Sequence, residues 1–149
     1  MIDTKILKQL REETDLSFSE ISKALKEADG DVAKAKKILS EKGAQFAQKK
    51  ADRELKAGAI FSYIHHNKRI GTMVELLCET DFVARNDQFL ALGDQLAQQI
   101  ASVDIEDRDA LLKSEFIRDP SKTVDQLIKD MIFKIGENIT MGRFEKYSL

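Results

Sequence analysis

The chain has 149 residues, of which 42% are hydrophobic and 34% charged, a balance that describes a folded, water-soluble chain and excludes disorder throughout. A formal net charge of −2 supplies no basic field for gripping a phosphate backbone, so a protein partner is expected and a nucleic acid is not. Cys78 stands alone, which excludes a disulfide framework and a multi-thiolate zinc site, and the charged start at Asp3, Lys5 and Lys8, with no apolar run long enough for a bilayer, predicts a cytoplasmic protein without a membrane span.

Apolar residues at helical spacing open the chain: Ile6, Leu7 and Leu10, then Ile21, Ala24 and Leu25. Thr14 and Asp15 mark a turn between them. Ser17 with Glu20 three residues on predicts a capping box, with Leu16 and Ile21 as its hydrophobic staple. Asp29-Gly30 should stop the second helix, and Asp31 should cap a third that carries Val32, Ala35, Ile38 and Leu39. Residues 1–40 are therefore expected to form a three-helix module. Residues 41–58 are charged and poor in apolar side chains, and read as a helical linker whose lysines lie on a solvated face.

Ala59 to Ile64 and Arg69 to Leu77 are rich in β-branched, aromatic and aliphatic residues, and His65, His66, Asn67 and Lys68 separate them, which predicts a hairpin. The adjacent histidines have no third ligand at suitable spacing, so no metal site is expected. Cys78, inside the apolar second strand, should be a buried, inert thiol. The strand pattern stops at Glu79, and Thr80 or Asp81 is placed to cap a new helix with Phe82 and Val83 in its first turn. Those residues alone leave Phe82 open to two readings, an apolar group that protrudes or a core residue tucked under its own helix; most Phe side chains are buried. Phe82, Phe89, Leu92, Leu96 and Ile100 then predict one apolar face of a long amphipathic helix covering the sheet. Pro120 ends a loop, Thr123 with Gln126 should form a capping box opening a helix that Gly136 stops, and Ile139 to Tyr147 reads as a closing strand. The 59–149 region is thus an α+β core, a small antiparallel sheet covered by helices.

Glu79-Thr80-Asp81-Phe82-Val83-Ala84-Arg85-Asn86 closely resembles the recognition segment of the bacterial elongation factor Ts family. Leu10-Arg11 through Thr14 and Lys23-Ala24-Leu25 resemble the ubiquitin-associated type of module that opens members of that family. Tyr63-Ile64-His65, Arg69-Ile70-Gly71, Gly136-Glu137-Asn138-Ile139 and Arg143-Phe144 are similar to its first hairpin and closing motif, although the hairpin turn lacks the usual glycines and Gly142 stands where a basic residue is common. The resemblance implies a nucleotide exchange factor, with no cofactor and no catalysis of its own, whose partner is elongation factor Tu. It implies that Thr80, Asp81, Phe82 and Val83 press on the partner's magnesium and phosphate site, with further contacts at Leu10, Phe18, Lys23, Arg85 and Asn86. By its residues alone Phe18 is either an exposed anchor or part of a tiny core. The connection from Ala101 to Leu112 is short where other members carry a longer helical segment, so the family's helical protrusion and a second core subdomain are not expected. Some members with one core subdomain pair as homodimers, and the same is expected here.

Two other readings compete. An enzyme would need a glycine-rich phosphate loop, a nucleophile elbow or a His-Glu metal helix, and none is present in the sequence. A plain adaptor that binds protein partners through the three-helix module would leave the Thr80-Asp81-Phe82-Val83 corner without a purpose.

Overall fold

In a computed structural model that describes residues 2–149, the first three helices are α1 (Thr4–Thr14), α2 (Phe18–Glu27) and α3 (Val32–Lys50). Their N-termini start where short polar side chains replace missing backbone partners: the side chains of Asp3, Ser17 and Asp31 accept from the amides of Lys5, Glu20 and Lys34. Ser17 makes its half of the expected capping box. Leu10, Leu16, Ile21, Ala24, Leu25, Ala28, Ala35 and Leu39 close a first apolar cluster, and Leu16 and Ile21 are both in it as the staple requires.

Helix α3 runs through the first half of the stretch expected to be a linker. Its buried positions Ala35, Leu39, Gly43 and Ala47 recur every four residues, so one stripe stays under cover while Lys49 faces water. The stripe was hard to read because two of its members, Gly43 and Ala47, add little apolar area. Phe46 lies beside Phe133 with ring centroids 5.6 Å apart, and Phe133 also packs on the first cluster, so the module is joined to the rest of the chain along this helix.

Strands β1 (Ala57–Ile64), β2 (Ile70–Cys78) and β5 (Ile139–Ser148) form an antiparallel sheet in the order β1-β2-β5. The hairpin turn dispenses with glycine: Lys68 itself takes φ 63°, and the Asn67 side chain accepts from the Arg69 amide at 2.9 Å. Between the second and last strands come α4 (Asp81–Ala84), α5 (Asp87–Ser102), α6 (Arg108–Lys113), the two short paired strands β3 (Glu115–Phe116) and β4 (Asp119–Thr123), and α7 (Val124–Ile135). Helix α6 and the β3–β4 pair occupy what the sequence suggested was loop, in segments too short to show periodicity. Thr123 and Gln126 form the full reciprocal capping box. Among the described residues no helix is long and apolar enough to cross a membrane.

Helix α5 covers one face of the sheet through Phe89, Leu92, Leu96 and Ile100, as their spacing predicted. It lies so close that a β-carbon on Gly93 would fall 2.2 Å from the Phe61 ring, which only glycine avoids. The opposite face is uncovered and presents Ile60, Ile64, Met73 and Tyr147.

On that open face the register shifts between Val74 and Leu76, so β5 carries an extra residue opposite Glu75. The Arg143 amide freed by this bulge donates to Glu75 Oε1 at 2.8 Å, and the guanidinium donates to both carboxylate oxygens. At Gly142 an added β-carbon would lie 2.9 Å from Glu75 Cβ, so the close approach at the bulge favours glycine there. The Arg143 hydrogen bonds hold Glu75 down to about 2, from an ordinary 4.5. A depressed folded-state value contributes stability above about pH 4.5 and loses it as the pH falls toward about 2. Glu75→Gln should therefore lose less stability than wild type between pH 5 and pH 2.5 in urea unfolding; the difference is modest because Arg143 is exposed to solvent.

Candidate functional site

The residues that close β2 lead straight into the corner. Thr80 keeps extended backbone angles and caps α4, its Oγ1 accepting from the Val83 amide at 3.3 Å. Six residues after Thr80 the chain turns again, and Asn86 caps α5 by accepting from the amides of Gln88 and Phe89 at 2.8 and 3.3 Å. Two helix starts in seven residues break the periodicity that seemed to join Phe82 to Phe89. Phe82 thus leaves the apolar face to which its spacing assigned it. It is 85% exposed, and no other phenylalanine among the described residues is as open to solvent.

Thr80, Asp81 and Arg85 are also exposed, and they surround the Phe82 ring in sequence. Val83 differs from its expected place at the surface: it is 5% exposed and packs in the core with Val74, Leu76 and Phe89, because one turn of helix turns successive side chains by roughly 100°. Asn86 is half-buried, with its side-chain oxygen engaged in the cap.

The corner is braced from a segment far away in the sequence. Gly136 ends α7 at φ 87°, a left-handed angle that costs glycine nothing, and the next residue, Glu137, turns toward the corner. The Glu79 and Thr80 amides each donate to Glu137 Oε1 at 3.1 Å, and Thr80 Oγ1 donates to Oε2 at 2.7 Å. Asn138 follows, buried, donating to the Arg53 carbonyl at 2.9 Å. Glu137 was not singled out in the sequence as a site residue; its position directly after a helix-stopping glycine was the available signal. Glu79 turns inward, with a buried Oε1 whose Arg53 neighbour, at 3.9 Å, is beyond hydrogen-bond range. Burial, and then the Glu137 carboxylate, push the Cys78 thiol up to about 11, which leaves it protonated and unreactive at neutral pH.

The three-helix module reaches the same region. Asp15, in a left-handed turn after α1, accepts a hydrogen bond from the Gln88 side chain in the first turn of α5. On α2, Phe18 is 45% exposed, with the Arg11 guanidinium 4.6 Å from its ring centroid, and Lys23 is exposed. Leu10, expected to touch a partner, is fully buried instead: with Ile6 and Leu7 it lies on the α1 face that forms the module's own core. Tyr63 Oη and His65 Nδ1 are 2.9 Å apart at the hairpin end. Among the described residues no group of three His, Cys, Asp or Glu is placed to hold a metal ion.

The fold and the corner together define a small α+β protein that holds one aromatic knob outward from a strand-to-helix bend. The family described as Elongation factor TS matches residues 79–149, which begin at that bend. An elongation factor Ts of Oleidesulfovibrio alaskensis is 40% identical over 193 residues, covering 99% of this chain and 98% of the relative. One from Thermosipho melanesiensis is 36% identical over 194 residues, covering 100% and 99%. One from Aquifex aeolicus is 43% identical over 146 residues, where the match takes in 95% of this chain and 50% of the relative. The chain belongs to the elongation factor Ts family. The matched spans in the first two relatives are longer than this chain, so those proteins carry residues with no counterpart here.

Proposed function

We infer that the chain is a guanine nucleotide exchange factor for elongation factor Tu, a translation factor that makes and breaks no bonds itself. The observation that carries this reading is the exposure of Phe82 on a hydrogen-bonded corner. A partner that holds its diphosphate through magnesium and backbone amides releases it faster when another protein binds the empty state better than the filled one. The coupling is reciprocal, so incoming nucleotide ejects the factor. A thousandfold acceleration corresponds to about 4 kcal/mol, while burying one Phe in a partner pocket supplies about 1.5–3 kcal/mol. Other contacts must add to it. Thr80, Asp81 and Arg85 flank the ring, Phe18 and Lys23 extend the contact from the module, and Val83 and Leu10 support those surfaces from beneath.

The direct test is GDP release from elongation factor Tu with and without this protein. Acceleration by catalytic amounts is expected, and unchanged release would overturn the reading. In that role the protein works in the cytoplasm, beside the translation machinery that it serves. Residues 1–40, 41–58 and 59–149 act as module, connector and core.

We also propose that the chain pairs with a second copy through its open sheet face, where Ile60, Ile64, Met73 and Tyr147 leave apolar side chains in water. Light scattering should then give twice the 16.9 kDa chain mass for wild type and the single mass for Met73→Asp. A monomeric wild type would remove the pairing from the account.

A further inference from the structure

We propose that Glu137 is a positioning residue for exchange, setting the direction in which Phe82 leaves the surface; the proposal rests on the exchange reading above. Helix α4 has four residues, too few to hold a helical turn in water by its own hydrogen bonds. Its orientation must come from outside it. At its start, the Glu137 carboxylate binds three donors on the two residues that precede it: the amides of Glu79 and Thr80 on one oxygen and the Thr80 hydroxyl on the other.

Those bonds also decide what the Thr80 hydroxyl can do. Because it donates to Glu137 Oε2, its lone pairs are left to accept from the Val83 amide, which is the bond that starts the helix. Glu137 thereby fixes both the extended backbone before Phe82 and the cap that begins the turn carrying it. The brace is itself anchored, on one side by the left-handed Gly136 and on the other by the buried Asn138 and its bond to the Arg53 carbonyl. Two acceptor oxygens on one side chain suit the task, and the charged acceptor strengthens all three bonds. Val83, buried one residue beyond Phe82, pins the other side of the knob.

The test is a double-mutant cycle on GDP release from elongation factor Tu, using Glu137→Ala, Phe82→Ala and the pair in the full chain. Misplacing a contact group without deleting it should lower the maximal release rate about tenfold at saturating factor. If Glu137 acts through Phe82, adding Glu137→Ala to Phe82→Ala brings little further loss; losses that multiply in full overturn the proposal. Glu137→Gln retains an oxygen for the two amides but loses the charge and the acceptor for the Thr80 hydroxyl, so it should lower the rate less than alanine does, and that smaller loss carries the same cycle if the alanine variant fails to fold. Amide hydrogen exchange in the free protein supplies a readout that needs no partner: Glu79 and Thr80 should exchange faster in Glu137→Ala, and unchanged exchange overturns the brace. A wild-type chain that does not speed GDP release overturns the exchange reading itself, whereas an active wild type with multiplying losses overturns the positioning role alone.

Discussion

Phe82→Ala is expected to keep the melting temperature of the wild type and to slow GDP release from elongation factor Tu by a factor of about 10 to 150, the equivalent of about 1.5–3 kcal/mol of lost burial against the partner. The two halves of that result have separate causes. An exposed ring contributes little to its own fold, and substitutions at such positions usually stay within about 0.5 kcal/mol. Alanine is also the better helix former at a position inside α4. Circular dichroism and stopped-flow release measured on the same sample separate the effects. Unchanged release would remove Phe82 from the mechanism, and a lowered melting temperature would mean that the ring serves the fold.

Phe89→Ala should do the reverse, lowering stability by about 3–5 kcal/mol, a large part of the roughly 5–15 kcal/mol that holds a domain together. Phe89 is fully buried and meets the Phe61 ring nearly edge-on, with centroids 6.3 Å apart. Its loss leaves a cavity between α5 and the sheet, where the close approach at Gly93 leaves the surrounding backbone little room to collapse. Denaturant unfolding should show the shift. Any loss of exchange activity in this variant should recover at low temperature in proportion to the folded fraction. The two phenylalanines are seven residues apart and chemically identical, so the contrast between the variants isolates placement from residue type.

That same pair marks the limit of sequence periodicity. Phe82, Phe89, Leu92, Leu96 and Ile100 fit one helical face, and four of the five lie on it. Phe82 does not, because Asn86 caps a new helix and resets the phase between them. An asparagine inside an apolar pattern is a weak signal beside five well-spaced apolar residues. In 41–50 composition hides a covered stripe: the segment is helical and its Lys49 faces water, while small residues every four positions carry α3 across α7.

Resemblance to the family located the corner, and it also pointed to Leu10 and Val83 as surface residues, which the fold instead places in its two cores. A motif states which residues recur together without stating which of them face outward. Around a helical turn, neighbouring residues point in directions far apart, so one of two adjacent apolar groups can protrude while the other is covered.

Helix starts at Ser17, Asp31 and Thr123, the stop at Gly136 and the hairpin around Asn67 were all legible along the chain, because caps and turns are contacts between residues two to four positions apart. The bracing of Thr80 by Glu137, the seat of α5 on the sheet and the open face beside β5 came from the assembled fold. They join residues dozens of positions apart, and no local pattern specifies which distant donor a carboxylate will meet or which face of a strand stays uncovered.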